Sequence, residues 1–150
     1  MRIIVADTET DGLAYECSKL HVMSWTEDGE TYESTNNHQT MKEVYDSADL
    51  LVMHNSVRHD MVVFNRLLGI PMDYKKYVDT LALSWYLFPN RPSHGLEAIG
   101  VEHGVPKPKV GDWHNLSYEE YKHRCEEDVK INHIEWQAQK KRLEEIYGWS

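Results

Sequence analysis

The chain has 150 residues, 41% of them hydrophobic and 27% charged, with five Trp and nine Tyr; this excludes a disordered chain and fits one domain with a core of its own. No run of about 18 apolar residues occurs, so no membrane span is expected, and two cysteines without metal-like spacing, Cys17 and Cys125, exclude a disulfide or zinc framework and suit a reducing cytoplasm. The formal net charge of −9 argues against a duplex binder, which carries a basic surplus, unless carboxylates are gathered to hold divalent cations.

The first predicted element is a strand over residues 3–7, Ile-Ile-Val-Ala-Asp, a continuous apolar run that ends in an acid. Its apolar stretch is too short for a signal peptide. Asp11-Gly12 marks a turn. Residues 20–25 and 30–34 read as two further strands joined at Asp28-Gly29, a hairpin signature. Thr40 is expected to cap a short helix through Asp46, and Leu50-Leu51-Val52-Met53 is a second buried strand. Over 58–68, Met61, Val62, Phe64, Leu67 and Leu68 fall at helical spacing, and Gly69 and Pro71 end that helix. Either Asp79 or Thr80 caps a helix over 80–87, stopped by Pro89, and residues 94–103 form another that ends at Gly104. Pro106, Pro108 and Gly111 make 105–112 a loop. Ser117, with Glu120 three residues on, opens the last helix in a capping-box pattern, and that helix runs to about residue 146, with or without a break.

Three strands, a helix, a strand and then helices predict an α/β chain. The first three strands form an antiparallel meander, and the 50–53 strand returns beside the first by a crossover, giving a mixed sheet flanked by helices. With no repeat or linker, residues 1–150 are expected to be a single domain. Met1 just ahead of the first strand and Tyr147-Gly148-Trp149-Ser150 after the last helix suggest a natural unit.

Asp7 and Glu9 stand two apart at a strand end, so both side chains leave the same face and can converge on one cation. Two adjacent acids repel unless a cation lies between them or one is protonated. A strand end entering a polar loop has the same look. Asp60 opens the 58–68 helix, where an acid also complements the helix dipole. Ahead of it, His54 and Asn55 place polar groups at the mouth of the same sheet. Asp128 closes the charged run Glu126-Glu127-Asp128, which resembles a solvated helix face. His123, five residues earlier, stands about 140° around a continuous helix from Asp128, so it reaches a metal held there only before or at a break. Arg124 and Tyr121 share the Asp128 face, Tyr121 about 10 Å away along the axis. Trp25, Trp85 and Trp136 read as core or helix packing, and His94 as a structural residue that binds a loop carbonyl.

In combination these features resemble a known superfamily. Val5-Ala6-Asp7-Thr8-Glu9-Thr10 is similar to the first exonuclease motif of the DnaQ-like, or DEDD, nucleases. His54-Asn55 with Asp60 resembles the second motif, and His123-Arg124-Cys125-Glu126-Glu127-Asp128 the third in its histidine form. Val78-Asp79-Thr80-Leu81, Ser93-His94-Gly95-Leu96-Glu97-Ala98-Ile99-Gly100 and the Trp113-to-Val129 stretch look like the proofreading domain of family A phage DNA polymerases. Motifs in this order, covering about residues 3 to 135, are more specific than any one alone.

The resemblance implies a ribonuclease H-like fold. It implies a 3′–5′ exonuclease that hydrolyses phosphodiester bonds at single-stranded DNA 3′ ends with two divalent ions, Mg²⁺ or Mn²⁺, in proofreading or DNA processing. It makes Asp7, Glu9, Asp60 and Asp128 the metal-binding acids. The expected setting is a bacterial cytoplasm, an infected cell's included, with a DNA polymerase as a partner in trans. The family carries tyrosine four residues before the last Asp; here Arg124 stands there, so His123 becomes the expected general base by its near-neutral pKa, with Tyr121 the runner-up. Thr8, Leu13, His54, Asn55, Trp113 and Tyr121 are expected to line the strand's groove. Rival expectations are a ribonuclease or oligoribonuclease of the same superfamily, a non-catalytic polymerase-associated subunit, and an acidic α/β binding module.

Overall fold

The computed structural model describes residues 1–105 and 116–148, so Trp113 and all but the first residue of the expected 105–112 loop lie outside the described residues. Five strands form one mixed sheet: β1 (Ile3–Thr10), β2 (Leu20–Thr26), β3 (Glu33–Thr35), β4 (Leu50–Met53) and β5 (Tyr77–Asp79), in the order β3-β2-β1-β4-β5. β1 to β3 make the antiparallel meander, and β4 lies parallel to β1 with Val5 beside Val52, as expected. The sequence reading missed β5. Its three residues are too few to show a period, and parallel pairing to β4 is what holds them.

The apolar run of β1 is continuous because both faces of the sheet are covered. On one face Ile4 and Ala6 pack with α1 (His38–Ser47) and α2 (Asp60–Leu68), through Met41, Val44, Met61 and Phe64. On the other, Val5 and Val52 meet Val129 and Trp136 of α5 (Tyr118–Tyr147) and Leu83 of α3 (Thr80–Leu87). α4 (Leu96–Glu102) also packs on α5. Mixed parallel and antiparallel pairing between two helical layers is the ribonuclease H-like fold.

One helix cap differs from the sequence reading, and the others follow it. Asn37, not Thr40, caps α1: its Oδ1 accepts from the Thr40 N–H at 2.9 Å, so Thr40 supplies the donor that is capped. Asp79 takes the cap of α3, accepting from Leu81 N at 3.0 Å. Gly69 ends α2 at φ 69°, a left-handed conformation suited to glycine. Ser117 and Glu120 form the expected capping box on α5, which then runs without a break. Trp25 and Trp136 are buried as expected, but Trp85 is 61% exposed and stacks on the His94 ring, 3.9 Å between centroids.

Candidate active site

β1 carries the first two acids to the end of the sheet. Its alternation sends Asp7 and Glu9 toward α5 and Thr8 toward α2. α5 brings Asp128 to the same place, beside the buried Val129 that anchors it on β1. One ligand oxygen from each of Asp7, Glu9 and Asp128 lies within 4.8 Å of the others. From the opposite layer, Asp60 starts α2 and accepts a 2.7 Å hydrogen bond from the Thr8 hydroxyl. It is 1% exposed, and its second oxygen, Oδ2, has no hydrogen-bond partner.

Such crowding is expensive without a cation. The Asp7 carboxyl is pushed well above its ordinary range, first by burial and then by Asp128, Glu9 and Asp60. Asp60 is pushed up to about 6, by burial above all, while His59 and the Thr8 hydroxyl pull the other way. Burial and Asp7 together raise the Cys125 thiol, whose Sγ donates to the Asp7 backbone carbonyl at 3.2 Å. Cys125 therefore stays a protonated packing residue and leaves the donor set all oxygen. Three converging carboxylates, and a fourth with a buried unpartnered oxygen, fit hard divalent cations such as Mg²⁺ or Mn²⁺.

The other site residues expected from the sequence scatter. His123 is exposed on the continuous α5, about 140° around the helix from Asp128, and the structure does not bring it to the acids. Tyr121 and Arg124 are buried on the Asp128 side. Thr8 holds Asp60 rather than facing solvent. Leu13 is 70% exposed in the turn after β1. The His54 ring is used up inside the fold: Nδ1 meets the Thr80 hydroxyl at 2.9 Å and Nε2 donates to the His94 carbonyl at 2.8 Å. Burial lowers its pKa. Asn55 takes a left-handed turn at φ 66° and donates its N–H to Asp79 Oδ1 at 2.9 Å. His94 bonds a hydroxyl, Ser84 Oγ at 2.6 Å, where a loop carbonyl was expected.

Sequence reasoning missed two supports of the site. Asp79 accepts from the backbone of Asn55 and Val57 as well as capping α3, so one carboxylate fixes the loop that leads into Asp60. Its sequence signal was that of a helix cap within a string that resembles the proofreading domain, and neither pointed to this bracing. The second support is an ion-pair cluster under α5: Arg91 bonds both oxygens of fully buried Glu135, at 2.5 and 2.9 Å, and also Glu102, while His103 and Gln139 complete the Glu135 shell. Residues so far apart in the chain gave no local signal.

No protein-family model and no curated protein sequence matches the chain. Solved structures do. NrnC of Brucella melitensis superposes with a TM-score of 0.74 at 22% identity, over 97% of this chain and 75% of that one. The same protein has been solved with bound Mg²⁺ and bound to pGG. Escherichia coli RNase D, described as an exoribonuclease involved in structured RNA processing, gives 0.61 at 18% identity over 97% of this chain and 43% of its own. Exonuclease X, in complex with 5′-overhanging duplex DNA, gives 0.58 at 14% identity over 99% and 94%. At these identities the likeness is one of fold.

Proposed function

We propose that the chain is a divalent-metal-dependent 3′–5′ exonuclease that hydrolyses phosphodiester bonds at single-stranded nucleic-acid ends. The observation that carries this reading is the meeting of Asp7, Glu9 and Asp128 within 4.8 Å, with Asp60 buried beside them. Solved structures of the same fold that are nucleases support it. Asp7, Glu9 and Asp128 would hold one ion directly, and Asp60 would serve a second. When bound, a pair of such ions supplies an activated water, neutralised phosphate charge and a stabilised leaving oxygen.

The chain's own residues set the frame. Thr8 fixes the Asp60 rotamer, Asp79 fixes the approach to α2, and the Arg91–Glu135 pair ties α5 to the segment between α3 and α4. His123 is the proposed proton acceptor by its chemistry, and to act it requires the first turns of α5 to open around it. Single-stranded DNA is the first substrate reading. RNA is the second, favoured by the likeness to RNase D, an exoribonuclease, and to NrnC bound to pGG.

The deciding experiment uses 5′- and 3′-labelled DNA and RNA oligonucleotides with Mg²⁺, with Mn²⁺ and with EDTA. Shortening from the 3′ end that needs metal and disappears in Asp7→Ala, with the variant still folded, is the expected result. Metal-independent cleavage, or an active Asp7→Ala protein, would sink the proposed site.

A further inference from the structure

Beside Glu9 the sheet has an irregularity with a direction. Glu9 pairs with Val22 but Thr10 pairs with Leu20, so β2 carries one residue more than β1 at this point, and that residue is His21. Such a bulge re-aims a side chain. Val22 packs against Tyr121 and Cys125, and the His21 ring lies flat on the Tyr121 ring, with centroids 4.1 Å apart and planes 8° from parallel.

This stack forms a wall of a cleft of about 420 Å³, lined among the described residues by Lys19, His21, Asn36, His38, Tyr118 and Tyr121 with two leucines. No described carboxylate lines it, in a chain where 25 acids outnumber 16 Lys and Arg. Burial and then Lys19 hold the His21 ring below its ordinary pKa, so the stack is neutral near pH 7 and the positive charge belongs to Lys19. With α5 continuous, the cleft also has a defined relation to the acids. His21 adjoins the partner of Glu9, and Tyr121 precedes Asp128 on the same helix face by about 10 Å.

We propose that this cleft is a nucleotide-binding subsite: it takes one nucleotide of a single strand, the base laid against the half-buried His21 ring and the phosphate beside Lys19. The proposal rests on the nuclease reading of the acid cluster, because it supplies the neighbouring nucleotide of the same strand. A cation, a flat ring already supported from behind and an opening of nucleotide size are what sequence-tolerant strand binding uses. A second cleft, between β2 and β3, is lined by Glu27, Asp28 and Glu33 and would repel a phosphate.

The test takes the full chain in EDTA and titrates a nucleoside 5′-monophosphate and, separately, inorganic phosphate, read on the histidine ring protons by NMR. The nucleotide should bind about tenfold or more tightly than phosphate and shift the His21 signals. His21→Ala should weaken nucleotide binding about tenfold, and His21→Phe, which preserves the stack, should restore it. Lys19→Ala, at an exposed position, should weaken both probes. With metal, His21→Ala should raise KM and leave kcat within about twofold, whereas Asp7→Asn should remove kcat and leave nucleotide binding in EDTA unchanged. Nucleotide binding no tighter than phosphate, or indifferent to His21→Ala, overturns the subsite while leaving the nuclease reading intact. A chain that binds nucleotide through His21 but degrades neither DNA nor RNA keeps the subsite and overturns the nuclease reading.

Discussion

Asp60 shows how a single carboxylate can work against folding and for function. Its folded pKa, about 6, stands above the ordinary 3.8 because burial disfavours its charge. Below pH 3.8 the folded and unfolded chains both hold the proton, and the group costs nothing. Between 3.8 and about 6 the folded chain keeps a proton that the unfolded chain has released, so stability falls as pH rises. Above about 6 the full cost applies, on the order of 3 kcal/mol for a two-unit shift. Asp60→Asn keeps an oxygen for the Thr8 hydroxyl and removes the charge. In EDTA at pH 7.5 it should therefore melt above the unmodified protein, with the gap closing toward pH 4, while its nuclease activity is lost. Thermal melts across that range check the sign; an Asp60→Asn protein less stable at pH 7.5 would show that the carboxylate is stabilised in a way its burial does not suggest. The same logic predicts that Mg²⁺ raises the melting temperature at pH 7.5, by about 2.7 kcal/mol of stability at a hundred times its dissociation constant, and that Asp7→Asn blunts this gain.

At the scale of elements, what was legible in the sequence was whatever a local period or a cap writes into neighbouring residues. The alternation through Asp7 and Glu9, the turn of α2 at Gly69 and the Ser117–Glu120 box each lie within one stretch of chain. The missing pieces are set at a distance: β5 by pairing to β4, the His21 bulge by the register of β1, and the Arg91–Glu135 contact by residues 44 apart. The sequence also allowed α5 a break, and the structure shows it continuous, which leaves His123 on the solvent side. His123→Ala decides what that means. A fall in kcat of about a hundredfold at unchanged KM requires the start of α5 to open on substrate, and unchanged kcat assigns proton uptake elsewhere. The seat of α5 can be probed at Gly100 in α4. A Cβ there would come within 2.5 Å of the Val105 carbonyl oxygen and 2.8 Å of Ile131 Cδ1 on α5. Alanine would gain about 1 kcal/mol of helix propensity, but the backbone carbonyl cannot swing away as a flexible side chain would. Gly100→Ala should thus lose about 1–2 kcal/mol net, read as a lower urea midpoint at an unchanged slope.

The whole molecule carries a net charge of −9, and that limits how firmly it can hold a polyanion. Its proposed grip combines metal at the acid cluster with one ring stack and Lys19, and long-range attraction is weak. A single strand held by Lys19 as its one basic contact would lose only about threefold in affinity between 50 and 200 mM salt, where a single strand held by six would lose about three hundredfold. The same thin grip favours release after each cleavage. A 5′-labelled single strand should therefore decay through a ladder of every intermediate length, and excess unlabelled strand added midway should stop the ladder at once. The ladder and the salt slope test different parts of the claim, since the first reads dissociation between cuts and the second counts phosphate contacts. A shallow slope with a ladder is the expected pair. Conversion of full-length strand to end product without intermediates, at any salt, would mean that the chain encloses its substrate more tightly than an acidic surface with a single nucleotide cleft allows.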